Sequence, residues 1–81
     1  MRKQLQIIAH FTIPGKGLYG WSEAAEDKET LLRWGYWATR RSVHRETGIQ
    51  IEPVFTDGKI TIEQNGKIET IGNYQITEIE V

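Results

Sequence analysis

Between residues 31 and 45 the chain reads LLRWGYWATRRSVHR, with two tryptophans, a tyrosine, four arginines and a histidine inside fifteen positions. On a helical wheel of about 100° per residue, Leu31, Leu32, Gly35, Tyr36, Ala38, Thr39, Ser42 and Val43 fall on one side. This is a face of mixed size whose small members let a helix lie close against a sheet. The opposite side collects Arg33, Trp34, Trp37, Arg40, Arg41, His44 and Arg45. Tryptophan and arginine are enriched where proteins bind one another, so these residues are candidate contact residues. Trp34 lies at the edge of the arc and could equally be turned into the core. Trp37 sits among charges that its burial would drag inward.

Upstream, the loop sequence PGKGLYG (14–20) carries Lys16 and Tyr19 and leads into Trp21, further candidates for binding from a flexible connection. Gly15, Gly17 and Gly20 match G-x-G-x-x-G. The dinucleotide-binding reading is weak. It requires a parallel sheet that nothing downstream continues, and four acids, Glu23, Glu26, Asp27 and Glu29, crowd the place a phosphate would occupy. The P-loop pattern fails because no Lys-Ser or Lys-Thr pair follows the glycines. Catalytic groupings are thin as well. His10 and His44 stand apart, Ser22 and Ser42 read as a helix cap and a packing residue, and Glu52, Glu63, Glu69, Glu78 and Glu80 spread as on an exposed sheet face. With no cysteine and two histidines, a structural zinc site is not expected, and neither is any cofactor. The chain reads as a non-enzyme.

The elements that would hold the basic, aromatic face follow from periodicity. In LQIIAHFTI the odd residues Leu5, Ile7, Ala9, Phe11 and Ile13 are apolar, which predicts a half-buried strand ended by Pro14. Ser22 as N-cap, acids in the first turn and Gly48 as a stop predict one helix over about residues 23–46, with a break near Asp27. After Gly48, β-rich runs punctuated by TDGK, QNGK and IGNY predict a four-stranded meander. An Asp57-Gly58 turn puts Phe55 opposite Ile60. A three-residue loop Gln64-Asn65-Gly66 puts Ile62 opposite Ile68 and Glu63 opposite Lys67, with Gly66 left-handed. The expected fold is α+β in the order β-α-β-β-β-β, a single long helix packed on a mostly antiparallel sheet, in one domain over residues 1–81.

The formal charge of −1 hides an asymmetry. Residues 1–45 carry a net +4 and residues 46–81 a net −5. The basic side invites an acidic partner, which could be another copy's acidic sheet, so protein binding or self-association is the expected role. Nucleic-acid binding through the same Arg/Trp face is the alternative, disfavoured by a pI near 6.1. No apolar run approaches the roughly 20 residues of a membrane span, no signal-peptide pattern follows MRKQLQ, and the cysteine-free composition fits a reducing compartment, so the expectation is a soluble, cytoplasmic protein.

Overall fold

The alternation at residues 5–13 forms the strand β1 (Lys3–Ile13), in which Ile7, Ala9, Phe11 and Ile13 are all buried. The computed structural model describes residues 2–13 and 15–80, so Pro14, expected to end this strand, lies outside the described residues. The other elements are β2 (Gly17–Ala25), α1 (Lys28–Thr47), β3 (Val54–Thr56), β4 (Lys59–Gln64) and β5 (Lys67–Glu80). The strands form one sheet in the order β2-β1-β5-β4-β3, with all neighbours antiparallel. The helix leaves one edge strand, crosses a single face of the sheet and delivers the chain to the other edge. The α+β class and the single helix are as the periodicity predicts, while the element order is β-β-α-β-β-β.

Three elements differ from the expectation. The stretch GLYGWSEAA is not a loop running into a helix but the edge strand β2, paired with β1 from Leu5 opposite Ala25 to Ile13 opposite Gly17. Its Tyr19 and Trp21 are opposite Phe11 and Ala9, so the aromatics turn to the core side while Leu18, Gly20 and Ser22 face out. The helix consequently begins five residues later than expected, and its cap is Asp27 rather than Ser22. The Asp27 carboxylate accepts from the Thr30 backbone N–H at 2.7 Å and from the Thr30 hydroxyl at 3.0 Å, which satisfies a donor the first helical turn would leave open. Gly48 closes the other end in the left-handed conformation, φ 75°, its N–H donating to the His44 carbonyl at 2.8 Å.

The backbone N–H of Thr30, and after it the Thr30 hydroxyl, hold the Asp27 carboxyl below its ordinary pKa. A lowered folded-state pKa means that the cap contributes fully above the ordinary carboxylate range and is lost as pH falls through the depressed value. Asp27→Ala is therefore expected to lower the melting temperature at pH 7. The gap from the natural protein should close as pH is taken below that range. An equal gap at all pH values would mean that the cap acts without its charge.

The third difference lies in the meander, which has three strands rather than four. IGNY is not a turn but the middle of the long strand β5. The Asp57-Gly58 turn and the Phe55–Ile60 pair are as expected. The next turn is tighter than expected. Asn65 accepts a positive φ of 54° beside Gly66 at 77°, so the loop has two residues and matches the twist of its strands. Gln64 then pairs with Lys67, Glu63 with Ile68 and Ile62 with Glu69. A slip of one residue changes every side chain's face, and Ile68 is left 76% exposed. An irregularity between Ile60 and Thr61 then resets the phase, so that Gly72, Tyr74 and Ile76 point to the helix side. No atom lies within 4 Å of where a Gly66 side chain would begin, so substitution there strains the backbone alone. Gly66→Val is expected to cost about 1 kcal/mol or more, read as a fall in melting temperature of about 4–8 °C. An unchanged melting temperature would show that the turn tolerates a β-branched residue.

Between helix and sheet sits one apolar cluster of Ala9, Phe11, Ile13, Val43, Ile51, Ile60 and Ile62, joined by the half-buried Tyr19, Trp21, Phe55, Ile71 and Tyr74. No element among the described residues covers the opposite face of the sheet. No helix of the described residues is long and apolar enough to cross a membrane.

Candidate functional site

The orientation of α1 decides which of its side chains meet solvent. Leu31, Gly35, Thr39 and Val43 recur every four residues and are the buried stripe. A Cβ on Gly35 would lie 2.6 Å from the Trp21 ring, so the absence of a side chain there lets the indole lie directly on the helix. Its Nε1–H donates to Thr39 Oγ1 at 3.2 Å, which gives the buried hydroxyl a partner, and Phe55 packs at a tilt against the indole. Trp21 thus anchors the helix. Tyr19 stacks on Phe11 and is likewise packed on the core cluster. Burial, and after it the Glu46 carboxylate, raises the Tyr19 pKa. Lys16 sits in the β1–β2 turn, apart from the helix face. The three upstream candidates therefore do not form one site: two lie mainly inside and the third stands alone.

The helix candidates do come together. Arg33, Trp34, Trp37, Arg41, His44 and Arg45 are all exposed on the outer side, with Trp34 at 58% and Trp37 at 48%. This exposure places Trp34 outside the core. Arg40 is half-buried, and its position is fixed from three directions. Its guanidinium carbon lies 5.2 Å from the centre of the Trp37 ring and 5.9 Å from that of Tyr36, and Nη2 lies 3.9 Å from Glu52 Oε1. The Tyr36 hydroxyl donates to the other Glu52 oxygen, and this bond, more than its partial burial, raises the Tyr36 pKa. The Tyr36 and Trp37 rings meet edge to face, 5.2 Å apart.

Glu52 is thus not one of a row of acids on a sheet. The segment after Gly48 folds back along the helix and sets this carboxylate beside Arg40. Only the spacing of Tyr36 and Arg40, four apart and neighbours across the boundary between the two faces, hints at a shared acidic partner in the sequence. Gln50 arrives on the same returning segment and has no sequence signal at all.

Trp37 and Arg41 form a ridge between two shallow hollows. One, of about 340 Å³, is lined by Trp37, Arg40, Arg41, His44 and Gln50. The other, of about 330 Å³, is lined by Thr30, Arg33, Trp34, Trp37 and Arg41. Arg33 has a loose exposed contact with Glu29 at 3.6 Å, and Arg45 one with Glu46 at 3.9 Å, pairs too solvated to neutralise the face. Arg41 makes no ion pair among the described residues. An apolar group can therefore lie on the Trp37 ring while a carboxylate beside it meets Arg41. His10 faces the other side of the sheet, away from this ridge, and among the described residues no three His, Cys, Asp or Glu side chains gather as a metal site. No family model, curated protein or solved structure matches the chain.

Proposed function

We propose that this chain is a small, non-enzymatic protein-interaction module that docks the outer face of α1 onto an acidic surface of another protein. The observation that carries the reading is the Trp37–Arg41 ridge, an exposed indole beside an arginine without an ion pair among the described residues, flanked by two hollows of side-chain size. Covering the indole removes a large apolar area from water, and a carboxylate brought to Arg41 gains a charge-assisted hydrogen bond. Arg40, already held against both rings, stiffens this half of the face, so less side-chain freedom is lost on binding. The absence of cysteine suits work in a reducing, cytoplasmic setting.

A single nucleic-acid strand stacked on the same rings is the competing reading, and the formal charge of −1 weighs against it. Titration with a single-stranded oligonucleotide at low and moderate salt separates the two. The expected result is weak binding at low salt that vanishes at moderate salt. Tight binding at moderate salt, with a log-log salt slope reporting several phosphates and lost in Trp37→Ala, would replace the protein partner by a nucleic acid.

A further inference from the structure

The bare side of the sheet is built differently from an ordinary solvated face. Along β1 from Gln4 to Thr12, β2 from Leu18 to Ala24 and β5 from Asn73 to Ile79, the residues pointing away from the helix include no Asp, Glu, Lys or Arg. The chain as a whole is 26% charged. The charges of these same strands, Lys3, Glu23, Lys67, Glu69, Glu78 and Glu80, all point to the helix side. Solvated strands normally show the reverse, with apolar residues toward the core and charged ones toward water. Depletion of lysine, aspartate and glutamate is a compositional mark of the centre of an interface.

At the middle of this face, on β1 between its two neighbours, stands Ile8, 42% exposed, with Ser22 and Gln75 directly beside it. Leu18, 71% exposed, lies toward one end and Ile79 toward the other. His10 is laid flat by its neighbour: a Cβ on Gly20 would stand 3.0 Å from the His10 ring, so the ring occupies the space above the glycine and keeps the surface low.

We infer that this face is the interface of a homodimer, covered in solution by the same face of a second copy, sheet against sheet. The occupant follows from the chemistry. In a two-fold contact each residue near the axis meets its own kind, which a charged face cannot tolerate. The glutamine, asparagine, serine and threonine side chains here each carry both a donor and an acceptor and so complement themselves. On α1, Arg33, Arg40, Arg41 and Arg45 outnumber Glu29 and Glu46, so its outer face would repel its own copy, and the uncharged sheet face offers no cation to a phosphate backbone. Three strands over Gln4–Thr12 give a footprint of about 27 Å by about 14 Å on each copy, about 760 Å² in total, which is the size of a weak, reversible contact. Lys59 and Glu63, opposite in sign, face the same side from β4 and flank the uncharged area. Such a dimer carries its two α1 faces outward on opposite sides, each open to a partner.

Sedimentation equilibrium on the full chain tests this. The expected mass is concentration-dependent, rising from 9.4 kDa toward twice that value. Ile8→Lys and Ser22→Glu should each weaken self-association at least tenfold with an unchanged far-UV circular dichroism spectrum, and Trp37→Ala should leave it intact. Should Ile8→Lys lose its fold, Ser22→Glu, at an exposed edge-strand position, gives the answer alone. A single species of 9.4 kDa up to millimolar concentration would overturn the inference. So would a dimer indifferent to Ser22→Glu, or one dissolved by Trp37→Ala instead.

Discussion

Gly72→Ala should lower the melting temperature by about 10–20 °C, the loss expected of about 2–3 kcal/mol in a domain of this size. Gly72 lies in β5 opposite Phe11 of β1 and Ile60 of β4, at the centre of the sheet and beneath the core. A Cβ there would run into the His10 carbonyl oxygen and stand 2.6 Å from Phe11 Cβ and 2.7 Å from Phe11 Cα. These are backbone and near-backbone atoms, so no flexible chain end can swing aside. The β1–β5 pair must open, and Phe11, one of the largest fully buried side chains, loses its packing with it. A variant that melts within a degree or two of the natural protein would show that the strands do not approach this closely.

Trp37→Ala should separate binding from folding. Its ring is nearly half exposed and touches the fold mainly through the Tyr36 edge and the Arg40 guanidinium, so the expected loss of stability is about 1 kcal/mol. Truncating a core aromatic costs about 3–5 kcal/mol. Partner affinity should fall by about 2 kcal/mol or more, roughly thirtyfold, because a central aromatic anchor dominates such contacts. Thermal melting and a binding titration on this one variant check both numbers. A large fall in melting temperature with affinity unchanged would place Trp37 in the fold and not at the contact.

The side of the helix that faces solvent is legible in the sequence because it follows from a local period. Every residue assigned inward is buried or half-buried, and of the outward set only Arg40 is drawn partly in, by Glu52. The helix stop at Gly48 and the Asp57-Gly58 turn are equally local, the first set by one residue at positive φ and the second by two adjacent ones. What sequence reasoning missed depends on distant neighbours. Gly72 reads as a turn residue when only IGNY is in view, whereas its role is to admit Phe11 from another strand. Gly20 and Ser22 obscured β2, although the alternation of Tyr19 and Trp21 carries the two-residue period of a strand. Asp27 and Ser22 are equally good caps by type. The strand pairing of β2 with β1 through Ala25 decides between them by holding Ser22 extended. Glu52 came to the site through a chain reversal that no local pattern encodes.

Selection of short random peptides displayed on phage, panned in parallel on the natural protein and on Trp37→Ala, tests the docking of an acidic partner on α1 most directly. The expected result is enrichment of sequences that combine aspartate or glutamate with a large apolar residue, with enrichment absent on Trp37→Ala and binding of the selected peptides lost on Arg41→Glu. Selected peptides with no acidic bias, or peptides that bind Trp37→Ala as well as the natural protein, would contradict it.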